Sequence, residues 1–181
     1  MAVVVFLATG FEEIEAMGIV DTLRRAGVEV VIAGLQAGAI EGGRGVKVIP
    51  DREIEGINTE DFDAVVLPGG SPGYVNLGND KRVLDAVRKA FARGKVVAAI
   101  CGAPSVLAKA GILEGKNATI YPGLETALDG AKPINERVVV DGKIITSQGP
   151  GTALEFGVKL VEILVGEKSA REVKEDLIAN F

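Results

Sequence analysis

The sequence predicts one α/β domain over residues 1–181, a mostly parallel β-sheet with helices on both faces. Continuous Val/Ile/Ala runs of strand length recur along the chain, the pattern of strands buried on both faces. Helical stretches alternate with those runs, as in successive βαβ units. No linker, internal repeat or low-complexity tract interrupts the alternation.

Each element follows from its own residues. "AVVVFLA" (2–8) reads as a buried strand, and "FEEIEAMGIVDTLRRAG" (11–27) as a helix closed by Gly27. Glycine ends helices well because it adopts the left-handed conformation at no steric cost. "VEVVIAG" (28–34) is the next strand, and "GRGVKVIPD" (43–51), with the stretch before it, is a short hairpin excursion on glycine-rich turns. "DAVVLPGG" (63–70) is a buried strand running into a glycine turn, and "DKRVLDAVRKAFARG" (80–94) is a strongly amphipathic helix that again ends in Gly. "KVVAAIC" (95–101) is a strand, followed by "APSVLAKAGIL" (103–113), a helix with Pro104 in the first turn, where its missing N–H leaves no bond unmade. "RVVVDGKIITSQGPG" (137–151) reads as a hairpin turning at Asp141-Gly142. "TALEFGVKLVEILVG" (152–166) and "SAREVKEDLIANF" supply the last two helices.

Composition excludes several function classes. Apolar residues make up 48% and charged residues 25%, which places the chain among globular rather than disordered proteins. The net charge of -5 and the absence of a Lys/Arg cluster argue against nucleic acid as a partner, since phosphate binding needs a basic face. The apolar start "MAVVVFLATG" lacks a basic leader and is too short for a signal peptide or membrane span. One Cys cannot close an internal disulfide, so a reducing cytoplasm is the expected compartment. Histidine is absent, and a zinc site would rest almost wholly on carboxylates, so no metal is expected. "GPGTAL" lacks the third Gly of a dinucleotide fingerprint, and no glycine-rich loop is followed by Gly-Lys-Ser/Thr. No cofactor is expected.

Open α/β sheets bind ligands beyond the carboxyl ends of their strands. Four turns fall there: "ATGFEE" (8–13), "PGGSPG" (68–73), "CGAPS" (101–105) and "SQGPGT" (147–152). Cys101, the sole cysteine, stands on this edge between a buried strand and a helix. Inert packing is one reading, because free Cys is among the most buried residue types. A nucleophile is the other: a helix N-terminus favours thiolate, and the Gly102 N–H would point where an oxyanion forms. With no His in the chain, a proton partner must be a carboxylate, and the first helical turn offers Glu12, Glu13 and Glu15. Thr9 and Glu12 fit a capping box, Glu13 falls on the polar face, and Glu15 lies at the edge of the apolar stripe near the end of the first strand. Spacing alone does not choose among them, since acidic residues also complement a helix dipole.

"VVAAICGAP", "VVLPGG", "FEEIEA", "LRRAG" and "TSQGPGTALEFG" occur in order over nearly the whole chain. Together they resemble the ThiJ/PfpI superfamily, in particular the branch of the parkinsonism-associated protein deglycase and its bacterial relatives. The resemblance implies a flavodoxin-like three-layer sandwich, a homodimer, and a reactive cysteine on a nucleophile elbow at Cys101. It further implies Glu15 as the carboxyl bonded to that cysteine, and Gly69 and Gly70 as backbone donors. Arg25 of "LRRAG" and Arg44 of "GRGVK" match positions associated with anion binding near the dimer-proximal site. Two departures stand out: Gly102 replaces the His that follows the nucleophile in the protease-like branch, and Tyr121 replaces a downstream His common in the deglycase branch. Peptidase and glutamine amidotransferase chemistry are therefore disfavoured, since tyrosine, with a pKa of about 10, is a poor base near neutrality.

A thiol and a carboxyl without His are suited to small aldehydes. The expected activity is cofactor-independent conversion of glyoxal or methylglyoxal to a 2-hydroxy acid, deglycation of early adducts, or both, with Cys101 as nucleophile and Glu15 as proton carrier. The helix end is expected to hold Cys101 largely as thiolate, with Glu15 protonated beside it. The rival expectation is a redox-sensing or chaperone-like stress protein with an oxidisable Cys101. The homodimer is expected to form along the first helix, through Met17, Gly18 and Val20, with Arg25 approaching the partner's site.

Overall fold

The computed structural model describes residues 1–181. In chain order the elements are β1 (Ala2–Leu7), α1 (Glu13–Arg25), β2 (Glu29–Gly34), β3 (Ile40–Glu41), β4 (Lys47–Val48), β5 (Arg52–Glu53), β6 (Ala64–Leu67), α2 (Gly73–Asn79), α3 (Lys81–Ala92), β7 (Val96–Ile100), α4 (Pro104–Lys109), β8 (Asn117–Ala118), β9 (Lys132–Pro133), β10 (Val138–Asp141), β11 (Ile144–Ser147), α5 (Ala153–Leu164) and α6 (Glu167–Asp176). Seven strands form one sheet in the order β10-β11-β7-β6-β1-β2-β5. All neighbours in it run parallel except the β10–β11 hairpin. The five-strand centre, β2-β1-β6-β7-β11, has the flavodoxin-like order, in which the sequence of strand addition reverses between β1 and β6 while the strands stay parallel.

Alternation along each strand builds two cores. Val3, Val5 and Leu7 of β1, with Val96, Ala98 and Ile100 of β7, face α1, α5 and α6, where Ile19, Leu23, Phe156 and Leu160 are fully buried. The intervening Val4, Phe6, Val97 and Ala99 face α2, α3 and α4, meeting Leu77, Val87 and Leu107. Each fully buried Leu, Val or Phe contributes about 1.5–3 kcal/mol relative to leaving it in water. Helices therefore cover both faces, and both faces demand apolar strands, which is why the strand runs show no polar alternation.

The expected hairpin excursion is the β3–β4 pair. The expected turn at Asp141-Gly142 is present, with Gly142 at φ 63°. One helix was not legible: α2, whose "GYVNLGN" carries two glycines of poor helix propensity. The capping box does not form. Helix α1 starts at Glu13 with Glu12 at its N-cap and no side-chain cap bond, and Thr9 Oγ1 instead faces Gln36 at 3.4 Å.

Candidate active site

Strand β7 delivers Cys101 one residue beyond the sheet. Its N–H donates to the Ser147 carbonyl at 3.0 Å, and its carbonyl accepts the Tyr121 N–H at 2.9 Å, so both neighbours pin the residue. Between those anchors Cys101 takes φ 63°, the left-handed region that side chains avoid. Pro104 opens α4 immediately afterwards, and Ser105 Oγ returns to the Gly102 carbonyl at 2.6 Å. A strained, doubly anchored elbow thus carries the half-buried thiol.

Two other strand ends converge on it. After β6, the Gly70 N–H reaches the sulfur, as does the Gly102 N–H from the elbow itself. Gly69 must lack a side chain here: a Cβ would lie 2.5 Å from Cys101 Cβ and 2.8 Å from Glu15 Oε2. After β1, the first turn of α1 places Glu15 wholly out of solvent. Glu15 Oε2 accepts the Gly69 N–H at 2.7 Å, the carboxyl lies close enough to Cys101 for each to shift the other's protonation, and the buried Oε1 has no hydrogen-bond partner. Gly69 therefore orients the carboxyl, and the donors facing the sulfur are Gly70 and Gly102.

Burial dominates the protonation of this pair. It lifts Glu15 from 4.5 to about 7, helped by the charge of Glu12 and opposed by the Gly69 amide and by Cys101. Cys101 is pushed up to about 12, first by burial and then by the charge of Glu15, against which the Gly70 and Gly102 amides work. This corrects the expectation of a resting thiolate. Helix α4 has six residues, and its end cannot offset removal of the sulfur from water beside a carboxylate. Below about pH 7 both groups are protonated; above it they hold one proton between them, and it rests on sulfur. Moving it to Glu15 removes the repelling charge and turns the carboxyl into a hydrogen-bond donor.

The DJ-1/PfpI family model matches residues 1–163, a span that contains the elbow, the glycine turn and the glutamate. The chain belongs to the DJ-1/PfpI family. It is 42% identical over 180 residues to Protein dj-1beta of Drosophila melanogaster, covering 98% of this chain and 96% of that one. It is 37% identical over 167 residues to a protein named a deglycase from Pyrococcus abyssi, covering 91% of this chain and 99% of that one. The crystal structure of Drosophila melanogaster DJ-1beta superposes with a TM-score of 0.96 at 41% identity, covering 99% of this chain and 98% of that one. Toxoplasma gondii DJ-1, described as oxidized, gives 0.95 at 36% identity and covers 99% of each.

Within this DJ-1/PfpI fold the remaining residues of interest are dispersed. The Tyr121 ring stands against Gly149, where a Cβ would be 3.2 Å away, and is 48% exposed, while its backbone N–H holds the Cys101 carbonyl. Arg44 lies in the β3–β4 turn with its side chain in solvent and its N–H on Glu13 Oε1 at 2.6 Å. Arg25 is at the other end of α1, ten residues and about 15 Å of helix from Glu15. There it binds Asp21 at 2.7 Å and Asp176 at 2.6 Å. These two carboxylates already neutralise it, so the chain itself does not present Arg25 as an anion site.

Three features escaped the sequence reading. Glu13, read as polar surface, is buried, because the β3–β4 turn folds over it and donates the Arg44 and Val46 N–H groups to Oε1. Val20, read as dimer surface, is in the core, while Met17 and Gly18 stay half-buried, with Gly18 beside Ala153 and Leu154 of α5. Ser147 and Thr152 share a buried hydroxyl contact of 2.6 Å beneath the loop after β11. The Ser-Gln-Gly-Pro-Gly-Thr spacing was the available signal for that contact.

Proposed function

We propose that this chain disposes of reactive two- and three-carbon oxoaldehydes, free or as early adducts, using Cys101 and Glu15 without a cofactor. The observation that carries this reading is a buried carboxyl of pKa about 7 beside a thiol that two backbone amides face. Glu15 takes the thiol proton as sulfur bonds to the aldehyde carbon. The Gly70 and Gly102 N–H groups hold the oxygen as it gains charge, and protonation gives a hemithioacetal. Glu15 then removes the proton from that carbon and returns it to the adjacent one, so one carbon is oxidised as its neighbour is reduced, leaving a 2-hydroxyacyl thioester. Water cleaves the thioester and restores the thiol. Methylglyoxal plus water gives lactate, and glyoxal plus water gives glycolate, with no external oxidant. A deglycation step is the same addition to an aldehyde released from an amine or thiol or, where the carbon still carries one, its displacement by the Cys101 sulfur, with the amine or thiol leaving protonated. The Pyrococcus abyssi relative named a deglycase supports this class of substrate.

The test is formation of 2-hydroxy acid from methylglyoxal without glutathione. Wild type produces it and Cys101→Ala does not; equal production by both contradicts the proposal.

A second reading rests on the relative described as oxidized. Peroxide would place two oxygens on Cys101, and protonated Glu15 would donate to the resulting sulfinate. Whole-protein mass after peroxide treatment reads this directly, and a mass unchanged relative to Cys101→Ala contradicts it.

The homodimer belongs to the same proposal. Helix α1 keeps Ile14 61% exposed beside Gly18, and Leu154 of α5 adds 39% exposure to that face, an apolar strip suited to a symmetric partner.

A further inference from the structure

Gly102 poses a question that its own backbone does not answer. It is not among the glycines with positive φ, and the strain of the elbow falls on Cys101. What demands a glycine is a ring: a Cβ at Gly102 would lie 2.6 Å from Cδ1, 2.7 Å from Cε1 and 2.8 Å from Cγ of Tyr74. Tyr74 is the second residue of α2, half-buried and packed on the core beneath it. Its backbone N–H donates to the Gly70 carbonyl at 2.8 Å. One residue therefore touches both sources of the amides that face the sulfur.

We propose that Tyr74 is the positioning residue of the Cys101 site. Its ring fills the space that any side chain at Gly102 would take, and its N–H holds Gly70, so that both amides stay aimed at the sulfur. Tyr74 contacts no reacting atom; it acts through Gly70 and Gly102. The pair is interlocked. A methyl group at 102 must displace either the ring or the elbow, and displacing the elbow turns the Gly102 N–H away from the sulfur.

Interlocking predicts a coupling that burial or access alone does not. The experiment is a double-mutant cycle on the rate of Cys101 alkylation by iodoacetamide, with Cys101 the only site. G102A slows alkylation, and adding Y74A to G102A speeds it by about tenfold more than Y74A speeds the unmodified chain. Access to the sulfur changes equally on both sides of the cycle and cancels. G102A combined with Y74F keeps the ring and stays slow. Equal effects of Y74A in the two backgrounds overturn the proposal, as does recovery by Y74F. If G102A does not fold, the cycle is read on recovery of folded protein: folding restored by Y74A supports the interlock, and folding not restored refutes it. Iodoacetamide requires no aldehyde turnover, so the result stands apart from the success or failure of the aldehyde reading.

Discussion

Replacing Glu15 by Gln should make the protein more stable above neutral pH while removing its chemistry. The carboxyl is protonated below about 7 in the folded chain and below 4.5 when unfolded. Between those values the folded state binds more protons, so its stability falls as pH rises through the window. A rise from 4.5 to about 7 corresponds to about 3 kcal/mol of stability present at low pH and lost by about pH 8. Gln keeps an oxygen for the Gly69 N–H and never ionises. Urea denaturation at a series of pH values should therefore give nearly equal stabilities for wild type and Glu15→Gln near pH 4. The gap should open to about 3 kcal/mol in favour of the variant near pH 8. Titrating groups that do not interact with Glu15 are common to both proteins and cancel; Cys101, which the Glu15 charge raises, titrates above this window in the wild type. A gap that is constant with pH would refute the burial argument, and a gap of opposite sign would mean that Glu15 is held ionised by a partner.

Three further outcomes follow from the geometry. Tyr121→Phe should keep turnover within about threefold, since the contact of Tyr121 with Cys101 is through its backbone and its hydroxyl is assigned no proton; a loss of about a hundredfold in steady-state assays would make its hydroxyl a participant. Gly69→Ala, whose methyl would meet Cys101 Cβ at 2.5 Å, should cost about 1–3 kcal/mol in urea denaturation and most of the turnover; a neutral effect would show that the glycine turn is pliable. Sedimentation at micromolar concentration should give a dimer that Ile14→Glu dissociates, and a monomeric wild type would remove α1 as an interface.

Much of this was legible because both sheet faces are covered. Runs such as "AVVVFLA" and "KVVAAIC" have no polar alternation, so strand identity and the parallel sheet followed from hydrophobicity alone. The position of Cys101 followed from the same logic, since a residue just past a central strand of an open α/β sheet faces the ligand edge. Glu13 was misread because its burial is made by the hairpin at Gly42–Val46, thirty residues away, and helical periodicity within α1 contains no sign of it. Helix α2 was hidden by its glycines, and with it Tyr74, whose relation to Gly102 exists only after two turns from different strands meet. Gly69 and Gly70 are adjacent and alike in sequence, yet a peptide alternates in direction, so one amide serves the carboxyl and the other the sulfur. The protonation of Cys101 was misjudged for an energetic reason. The expectation set a helix end and a protonated Glu15 in favour of the thiolate but left out removal of the sulfur from water, which in the folded chain is the largest effect on it.

The account stands most directly on Glu15 as the carrier of the Cys101 proton, and the pH dependence of glutathione-free 2-hydroxy acid formation tests it. For wild type the rate should rise as the first proton leaves the pair, with a midpoint at about 7. For Glu15→Gln it should be lower by about a hundredfold or more and show no rise at that midpoint. A Glu15→Gln protein that turned over at the wild-type rate with the same rising limb would contradict the account, because the group that titrates and moves the proton would then be something other than Glu15.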